Sequence, residues 1–306
     1  MKIMVFDVGG TEIKYSVMDK QMHRTDSGAV PTPQDTQAQF LDTVYRLYAP
    51  HKDEVTGIAM ALPGFVDNRT GYVSNGGALL YNTATPVGQL LTEKCSCPVI
   101  LENDGKAAAM AELANGALKG CCNAAVFIIG TGVGGGIIAN GQLVRGVHFT
   151  AGEYSFVNTN AEAWDAPDQN MACQCSTSNL LKWYRARKAL PENAPLNGRS
   201  FFAAANAGEP EALEVLRRFC HAVAVQIYNL TVLLDVEKVA IGGGISKQPL
   251  LLESLRSAYD GLYASRAGQA YMEGLPRCQI VPCAFSSEAN QVGVAAAYFE
   301  AMQKKC

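Results

Sequence analysis

The residues best suited to chemistry are Asn103 and Asp104, which lie where one predicted element ends and another begins. The apolar segment 98–101 is typical of a buried strand, and the alanine-rich segment 105–113 predicts a helix that carries Lys106 on a solvated face. Open α/β sheets bind ligands at the carboxyl ends of their strands, and the positive end of a helix stabilises an ionised carboxylate. Asp is also a common helix N-cap, so Asp104 can be either a catalytic group or a cap.

Two glycine segments of similar pattern are suited to phosphate binding. Asp7-Val-Gly-Gly-Thr11 joins two apolar segments into a predicted hairpin, and the segment 130–136, which contains Thr131, joins two more. Glycines let the backbone approach a ligand closely and direct its N–H groups at a phosphate. Neither segment matches the Rossmann fingerprint or the Walker A loop. Glycines alone predict only a tight turn, but Asp7 before the first turn and Thr11 after it favour a phosphate or Mg²⁺-phosphate site.

The order of predicted elements indicates an α/β protein of two lobes. Strands and helices alternate, the strand–glycine–strand unit occurs twice, and a third glycine turn at 242–244 follows a strand and opens into a predicted helix. A turn of that kind can hold an adenosine or a phosphate. The length of 306 residues exceeds the usual size of a single hydrophobic core. We predict an N-terminal lobe at 1–117, joined by the last helix at 288–303, and a C-terminal lobe at 118–287.

Composition excludes several classes of protein. Hydrophobic residues make up 48% and charged residues 17% of the chain, as in ordinary globular proteins. A net charge of −3 argues against a nucleic-acid-binding surface. We expect no membrane association and a cytoplasmic location, because the chain has neither a bilayer-spanning apolar run nor the pattern of a signal peptide. In that compartment most of the ten cysteines are expected to be free thiols.

Four motifs in this order, Asp7-Val-Gly-Gly-Thr11, Glu102-Asn-Asp104, the glycine segment 130–136 and Gly242-Gly-Gly244, resemble the ROK family of sugar kinases. That family belongs to the actin-like/hexokinase ATPase superfamily, and the resemblance covers essentially the whole chain. It implies an α/β fold of two ribonuclease-H-like lobes, with ATP and a sugar meeting in the cleft between them. It further implies ATP with Mg²⁺ as cofactors and a homodimer formed through the C-terminal lobe.

The resemblance also implies a role for each matching residue. Asp104 would be the base that accepts the proton of the sugar 6-hydroxyl. The implied sugar ligands are Gly64, Asn103, Asp104 and Glu153. The implied phosphate ligands are Gly9, Gly10 and Thr11 from one lobe and Thr131, Gly132, Gly134 and Gly135 from the other. Gly243 and Gly244 would lie near the adenosine, and Asp7 is the candidate for the Mg²⁺ side, through water.

The sequence departs from the family pattern at its zinc motif. Kinases of the family usually supply one His and three Cys, but Phe156 stands at the His position and Leu180 at the third Cys, while Lys182 replaces a Glu. The remaining thiols, Cys173 and Cys175, cannot complete the four-coordinate site that structural zinc prefers, so we predict no zinc. A phenylalanine near C1 of the sugar favours a bulkier or more apolar group there, such as that of a β-glucoside. The segment 76–81 also resembles the substrate loop of β-glucoside kinases.

Three alternatives stand beside a kinase for glucose-type hexoses or β-glucosides. One is a catalytically idle sugar-binding protein, and the intact Asn103-Asp104 pair argues against it. N-acetylmannosamine and N-acetylglucosamine kinases use the same scaffold. The family also contains sugar-responsive transcriptional regulators, which carry a helix-turn-helix region before the first glycine hairpin. Here that hairpin begins within ten residues of Met1, and no basic helix precedes it, which argues against a regulator.

Overall fold

The computed structural model describes residues 1–303, which form strands and helices in alternation. The strands are β1 Lys2–Val8, β2 Glu12–Asp19, β3 Arg24–Pro31, β4 Ile58–Leu62, β5 Phe65–Asp67, β6 Tyr72–Asn75, β7 Val99–Asn103, β8 Ala124–Ile129, β9 Val133–Ala139, β10 Gln142–Val144, β11 Lys238–Gly242 and β12 Gln279–Pro282. The helices are α1 Gln37–Tyr48, α2 Val87–Cys95, α3 Asp104–Asn115, α4 Met171–Cys175, α5 Thr177–Arg187, α6 Gly198–Asn206, α7 Pro210–Leu234, α8 Pro249–Ala264 and α9 Ala289–Gln303. Within residues 1–303, no helix combines the length and the apolar character that crossing a bilayer requires.

The chain divides into two compact units, each with its own hydrophobic core. The first unit contains residues 1–116, 143–151 and 287 onward, and the second contains 117–142 and 152–286. The division into folding domains at 1–117 with 288–303 and at 118–287 stays a prediction, because a compact unit is defined by contacts and not by independent folding.

The two units have sheets of the same topology. The first sheet has the order β3-β2-β1-β4-β7 and the second has the order β10-β9-β8-β11-β12. In both sheets, a glycine hairpin joins two antiparallel strands, β1–β2 or β8–β9. The first strand of each hairpin also pairs in parallel with a later strand, β4 in the first sheet and β11 in the second. The repeat predicted from the two glycine hairpins is therefore present at the level of whole sheets.

Some elements differ from the pattern that the sequence predicts. Strand β3 lies at the edge of the sheet, and most of its side chains are exposed. Its sequence therefore lacks the alternating apolar residues that usually predict a strand. The segment 65–75, which follows β4, contains the small antiparallel sheet β5–β6. Gly134 to Gly136 lie within β9 and pair with β8, so the second glycine turn spans only residues 130–132. The third turn is followed by further turn residues, and α8 begins only at Pro249.

Helices α3 and α9 pack at very short range in the first unit. A Cβ built on Gly293 of α9 would lie 1.7 Å from the carbonyl oxygen of Ala107 in α3. No atom other than hydrogen fits in that gap, so the contact requires a glycine.

We expect Gly293→Ala to lower the free energy of unfolding by about 2 kcal/mol, because the added methyl group must push the two helices apart. Chemical denaturation of the purified protein measures this loss. Gly261→Ala in α8 is the matched control, because its Cβ would meet nothing within 4 Å and alanine is the better helix former. Equal stability of the Gly293→Ala variant and the wild type would contradict the close contact.

Candidate active site

In the first unit, the predicted site residues lie at one edge of the sheet. Strands β1, β4 and β7 are parallel, so their carboxyl ends point the same way. The turn at 9–11 follows β1, Gly64 follows β4, and Asp104 follows β7. This is the edge where open α/β sheets bind ligands.

Asn103, not Asp104, is the N-cap of α3. Its Oδ1 accepts the backbone N–H of Lys106 at 3.0 Å, and its backbone is extended as a cap requires. Its Nδ2 donates to the carbonyl oxygen of Gly64 at 2.9 Å and to Oδ1 of Asp104 at 3.0 Å. The interpretation of Asp104 as a simple helix cap is therefore wrong. The side chain of Asn103 caps α3 and also donates a hydrogen bond to the Asp104 carboxylate.

Asp104 is the first residue of α3 and is half-buried. Its Oδ1 accepts the backbone N–H of Gly105 at 2.8 Å in addition to the amide of Asn103. These two donors and the positive end of α3 stabilise a negative charge on Asp104 and fix its orientation. Such a carboxylate can accept a proton from a hydroxyl group placed against it.

Gly64 adopts a backbone conformation that other residues rarely enter. Its φ is +91°, and a Cβ there would lie 2.0 Å from the carbonyl oxygen of Asn75. The tight turn after β4 aims the Gly64 carbonyl at the Asn103 amide. Gly64 thus supports the segment that holds Asp104.

A buried ion pair precedes Asn103. Glu102 is fully buried, and its Oε2 accepts from Nε of Arg145 at 2.8 Å. The same carboxylate accepts from Nδ2 of Asn68 at 3.4 Å and from the backbone N–H of Asn103 at 3.1 Å. Burial raises the pKa of Glu102, and the positive charge of Arg145 opposes this rise. Arg145 is a supporting residue that sequence reasoning missed, because it lies 43 residues from its partner.

Lys106 is also buried, with only 1% of its surface exposed. The predicted solvated face of α3 is therefore wrong. Almost all of α3 from Gly105 to Glu112 is buried, and α9, which also contacts β1 and β4, packs closely against it.

Asp7 lies in the same row of the sheet as Glu102. Asp7 is in register with Ala61 of β4, and Ala61 is in register with Glu102 of β7, so their Cα atoms lie about 10 Å apart. The Oδ1 of Asp7 accepts from Nδ2 of Asn290 at 2.8 Å. Burial raises the pKa of Asp7, while the Asn290 hydrogen bond and the charge of Lys14 oppose the rise.

The turn after β1 is fixed by side chains from the segment after β3. The hydroxyl of Thr32 donates to the carbonyl oxygen of Gly9 at 2.8 Å, and Nε2 of Gln34 donates to that of Gly10 at 2.7 Å. Backbone hydrogen bonds join Gly9 to Glu12 and Thr32 to Thr11. With its carbonyl groups bound in this way, the turn has a defined shape before any ligand arrives.

In the second unit, the turn at 130–132 is held from two sides. Oγ of Ser155 accepts the backbone N–H of Val133 at 3.1 Å and donates to the Val133 carbonyl oxygen at 3.0 Å. The N–H of Thr177 donates to the carbonyl oxygen of Gly130 at 2.9 Å. Thr131 and Gly132 lie in this turn, whereas Gly134 and Gly135 lie in β9. Gly135 has φ +145° and packs directly against the backbone of Val126, so the position has no room for a side chain.

The third glycine turn adjoins the second. Strands β8 and β11 are parallel, and a Cβ on Gly243 would lie 2.1 Å from the carbonyl oxygen of Ile129. Gly243 has φ +97°, and Oγ of Ser246 donates to its carbonyl oxygen at 2.9 Å. Gly244 follows it in the turn. The second unit therefore also gathers its glycine turns at the carboxyl ends of parallel strands.

Glu153 lies beside the same hairpin. Tyr154 is buried, packs on Phe127 with ring centroids 4.5 Å apart, and donates its hydroxyl to the carbonyl oxygen of Gly136 at 3.1 Å. Gly152, on the other side of Glu153, approaches the Gly136 backbone with φ +79°. Both neighbours of Glu153 are thus fixed against β9.

The residues at the degenerate zinc motif do not fit a tetrahedral zinc site. Cys175 is buried in the core, and burial raises the pKa of its thiol to about 12, which disfavours the thiolate that zinc requires. Leu180 is fully buried, and Phe156 is 71% exposed. Among residues 1–303, no cluster of three His, Cys, Asp or Glu side chains is arranged to hold a metal ion.

Both units therefore have the sheet topology of an actin-like ATPase lobe, and comparison with known proteins agrees. The chain is similar to a solved ROK family protein from Streptococcus pneumoniae in complex with sucrose, with a TM-score of 0.87, 27% identity and coverage of 99% of this chain and 100% of that one. The predicted fold class, an α/β protein of two ribonuclease-H-like lobes, is confirmed.

The family itself follows from the sequence comparison. The ROK family model matches residues 3–303, and the chain belongs to the ROK family. It is 30% identical over 258 residues to a β-glucoside kinase of Listeria innocua, covering 84% of this chain and 87% of that protein. It is 29% identical over 277 residues to an N-acetyl-D-glucosamine kinase of Vibrio atlanticus, covering 82% of this chain and 86% of that protein.

Proposed function

We propose that this ROK-family protein is an ATP-dependent carbohydrate kinase that phosphorylates the 6-hydroxyl of a glucose-type hexose or a β-glucoside, with Asp104 as the base. The family and the names of its relatives support the general activity. The observation that carries the role of Asp104 is its position at the start of α3, where Asn103 and Gly105 hold one carboxylate oxygen.

The reaction needs a hydroxyl in line with the γ-phosphate and stabilisation of the phosphate oxygens. In the proposal, Asp104 accepts the hydroxyl proton late in a loose transition state, which suits a carboxylate. In the proposal, the phosphate charge is stabilised by backbone N–H groups of the turns at 9–11 and 130–132 other than those of Gly9 and Gly130, which donate to the carbonyl oxygens of Glu12 and Gly132. Gly134 and Gly135 lie in β9 and support the second turn. In the proposal, Gly243 and Gly244 lie near the adenosine of ATP.

The residues present fit a magnesium ion that arrives with ATP. Asp7 offers a carboxylate, the type of ligand that Mg²⁺ accepts directly or through water, and Asn290 orients it. The bound ion would supply positive charge to the phosphate oxygens. Zinc has no role in the proposal.

The sugar side of the proposal relies on Glu153, Asn103 and Gly64. Asn103 already uses both amide hydrogens within the protein, so its remaining contribution to a sugar is an acceptor site on Oδ1. The β-glucoside is preferred because the Listeria innocua relative has that name and because Phe156 exposes an apolar ring. The Vibrio atlanticus relative supports N-acetylglucosamine as the second candidate. We also propose that the protein is cytoplasmic and forms a homodimer.

A coupled assay of ADP release over a panel of sugars tests this function. We expect turnover of glucose and of gentiobiose or cellobiose, with a kcat/KM at least about tenfold higher for one of the β-glucosides than for either N-acetylated hexosamine. The Asp104→Asn variant measures the background hydrolysis of ATP. Absence of activity on every β-glucoside would remove the preferred substrate, and absence of ADP release with any sugar would contradict the kinase.

A further inference from the structure

A cavity of about 360 Å³ lies in the second unit beside the glycine turn at 130–132. Thr131 forms part of its wall, and the other side is formed by the first turns of α5, with Asn179 and Lys182, and by Arg218 of α7. This volume is at the lower end of the range for small-molecule sites. The proposed mechanism gives no role to any of these residues except Thr131.

The cavity contains a hydrogen-bond donor that the protein leaves unused. Asn179 is 8% exposed, and its Nδ2 has no hydrogen-bond partner within residues 1–303. Ser176 caps the start of α5 by accepting the backbone N–H of Asn179 at 3.2 Å, so this helix end faces the cavity in a fixed position. A buried donor without a partner destabilises the protein, and a bound acceptor would remove that cost.

The charged side chains of the cavity are mainly positive. Lys182 and Arg218 have no carboxylate partner within the described part of the chain, and Arg218 instead lies over the ring of Trp183, 3.8 Å from its centroid. The one carboxylate in the wall, Asp168, accepts a hydrogen bond from Nε2 of Gln169 at 3.0 Å. The positive end of α5 adds to the two cations.

We propose that this cavity binds a phosphate group, with Lys182, Arg218 and the Asn179 amide as its donors at the start of α5. A helix N-terminus with nearby cations and an unused donor is suited to a phosphate. Because Thr131 belongs to the turn proposed to hold ATP, the phosphate can be one of the nucleotide or that of a separate ester such as a sugar phosphate. Binding needs no turnover, so this inference can stand or fall independently of the proposed function.

Titration calorimetry with inorganic phosphate, at constant ionic strength set by chloride, tests the site directly. We expect Lys182→Gln to weaken phosphate binding about tenfold, because a charge-assisted hydrogen bond is lost. Lys119→Gln is the matched control: it removes the same charge from an exposed position of the same unit outside the cavity and is expected to bind phosphate like the wild type. Asn179→Asp, which places a carboxylate at the unused donor with little change in shape, should weaken binding at least as much.

Competition identifies the source of the phosphate. Displacement of inorganic phosphate by ATP assigns the cavity to the nucleotide, and displacement by glucose 6-phosphate but not by ATP assigns it to a phosphate ester. Thermal unfolding without ligand verifies that each variant is folded. Equal phosphate affinity of the wild type and Lys182→Gln, or no saturable binding by the wild type, would overturn the proposal, whatever the kinase assay shows.

Discussion

The Asp104→Asn variant is expected to lose at least about a thousandfold in kcat for sugar phosphorylation, because a general base contributes a factor of this order. Asparagine has nearly the same shape, and its oxygen can still accept the N–H of Gly105 and the amide of Asn103. Folding and ATP binding are therefore expected to remain within about twofold of the wild type. Coupled assays measure kcat, and calorimetry measures ATP affinity.

The control for this variant is Asp53→Asn, which makes the same chemical change at an exposed position of the first unit. It should retain full activity. Turnover of Asp104→Asn within tenfold of the wild type would contradict the base. A loss of ATP binding comparable to the loss in kcat would show that Asp104 has a different role.

The Arg145→Ala variant is expected to lose about 3 kcal/mol of stability, because it leaves the carboxylate of Glu102 buried without its cation. Glu102 has no exposed side-chain surface, and the side chain of Arg145 is 28% exposed. Chemical denaturation at several pH values measures the loss. Burial already raises the pKa of Glu102 in the folded state, and removal of Arg145 takes away an opposing charge. The folded variant therefore takes up a proton more readily than the unfolded chain, and the loss should shrink as the pH falls.

The double variant Glu102→Gln with Arg145→Ala is the control for this explanation. It removes the buried charge together with its partner, so it should be more stable than Arg145→Ala alone at neutral pH. A loss below about 0.5 kcal/mol in Arg145→Ala would show that the pair behaves as an exposed surface ion pair. A loss that does not change with pH would exclude the unpaired carboxylate as its cause.

Local patterns in the sequence determine many of the strands, helices and turns of this protein. The two glycine hairpins, the strand before Asp104, the helix after it and the last helix are predicted from the sequence and are present in the structure. Turn residues, caps and periodic apolar residues act over a few positions, so a single sequence displays them directly. The same local motifs, taken in order, identified the ROK family.

Contacts between distant residues were decided only by the tertiary structure. Asn290 orients Asp7 from 283 residues away, and Arg145 neutralises Glu102. The neighbours of Lys106 in sequence form an ordinary helix and predict a solvated position for it, but its side chain is buried in a helix against which α9 packs closely. The local sequence alone allows Asp104 to be the cap of α3. The structure assigns the cap to Asn103, because its side-chain amide reaches Lys106, Asp104 and the Gly64 carbonyl in the turn after β4 at once.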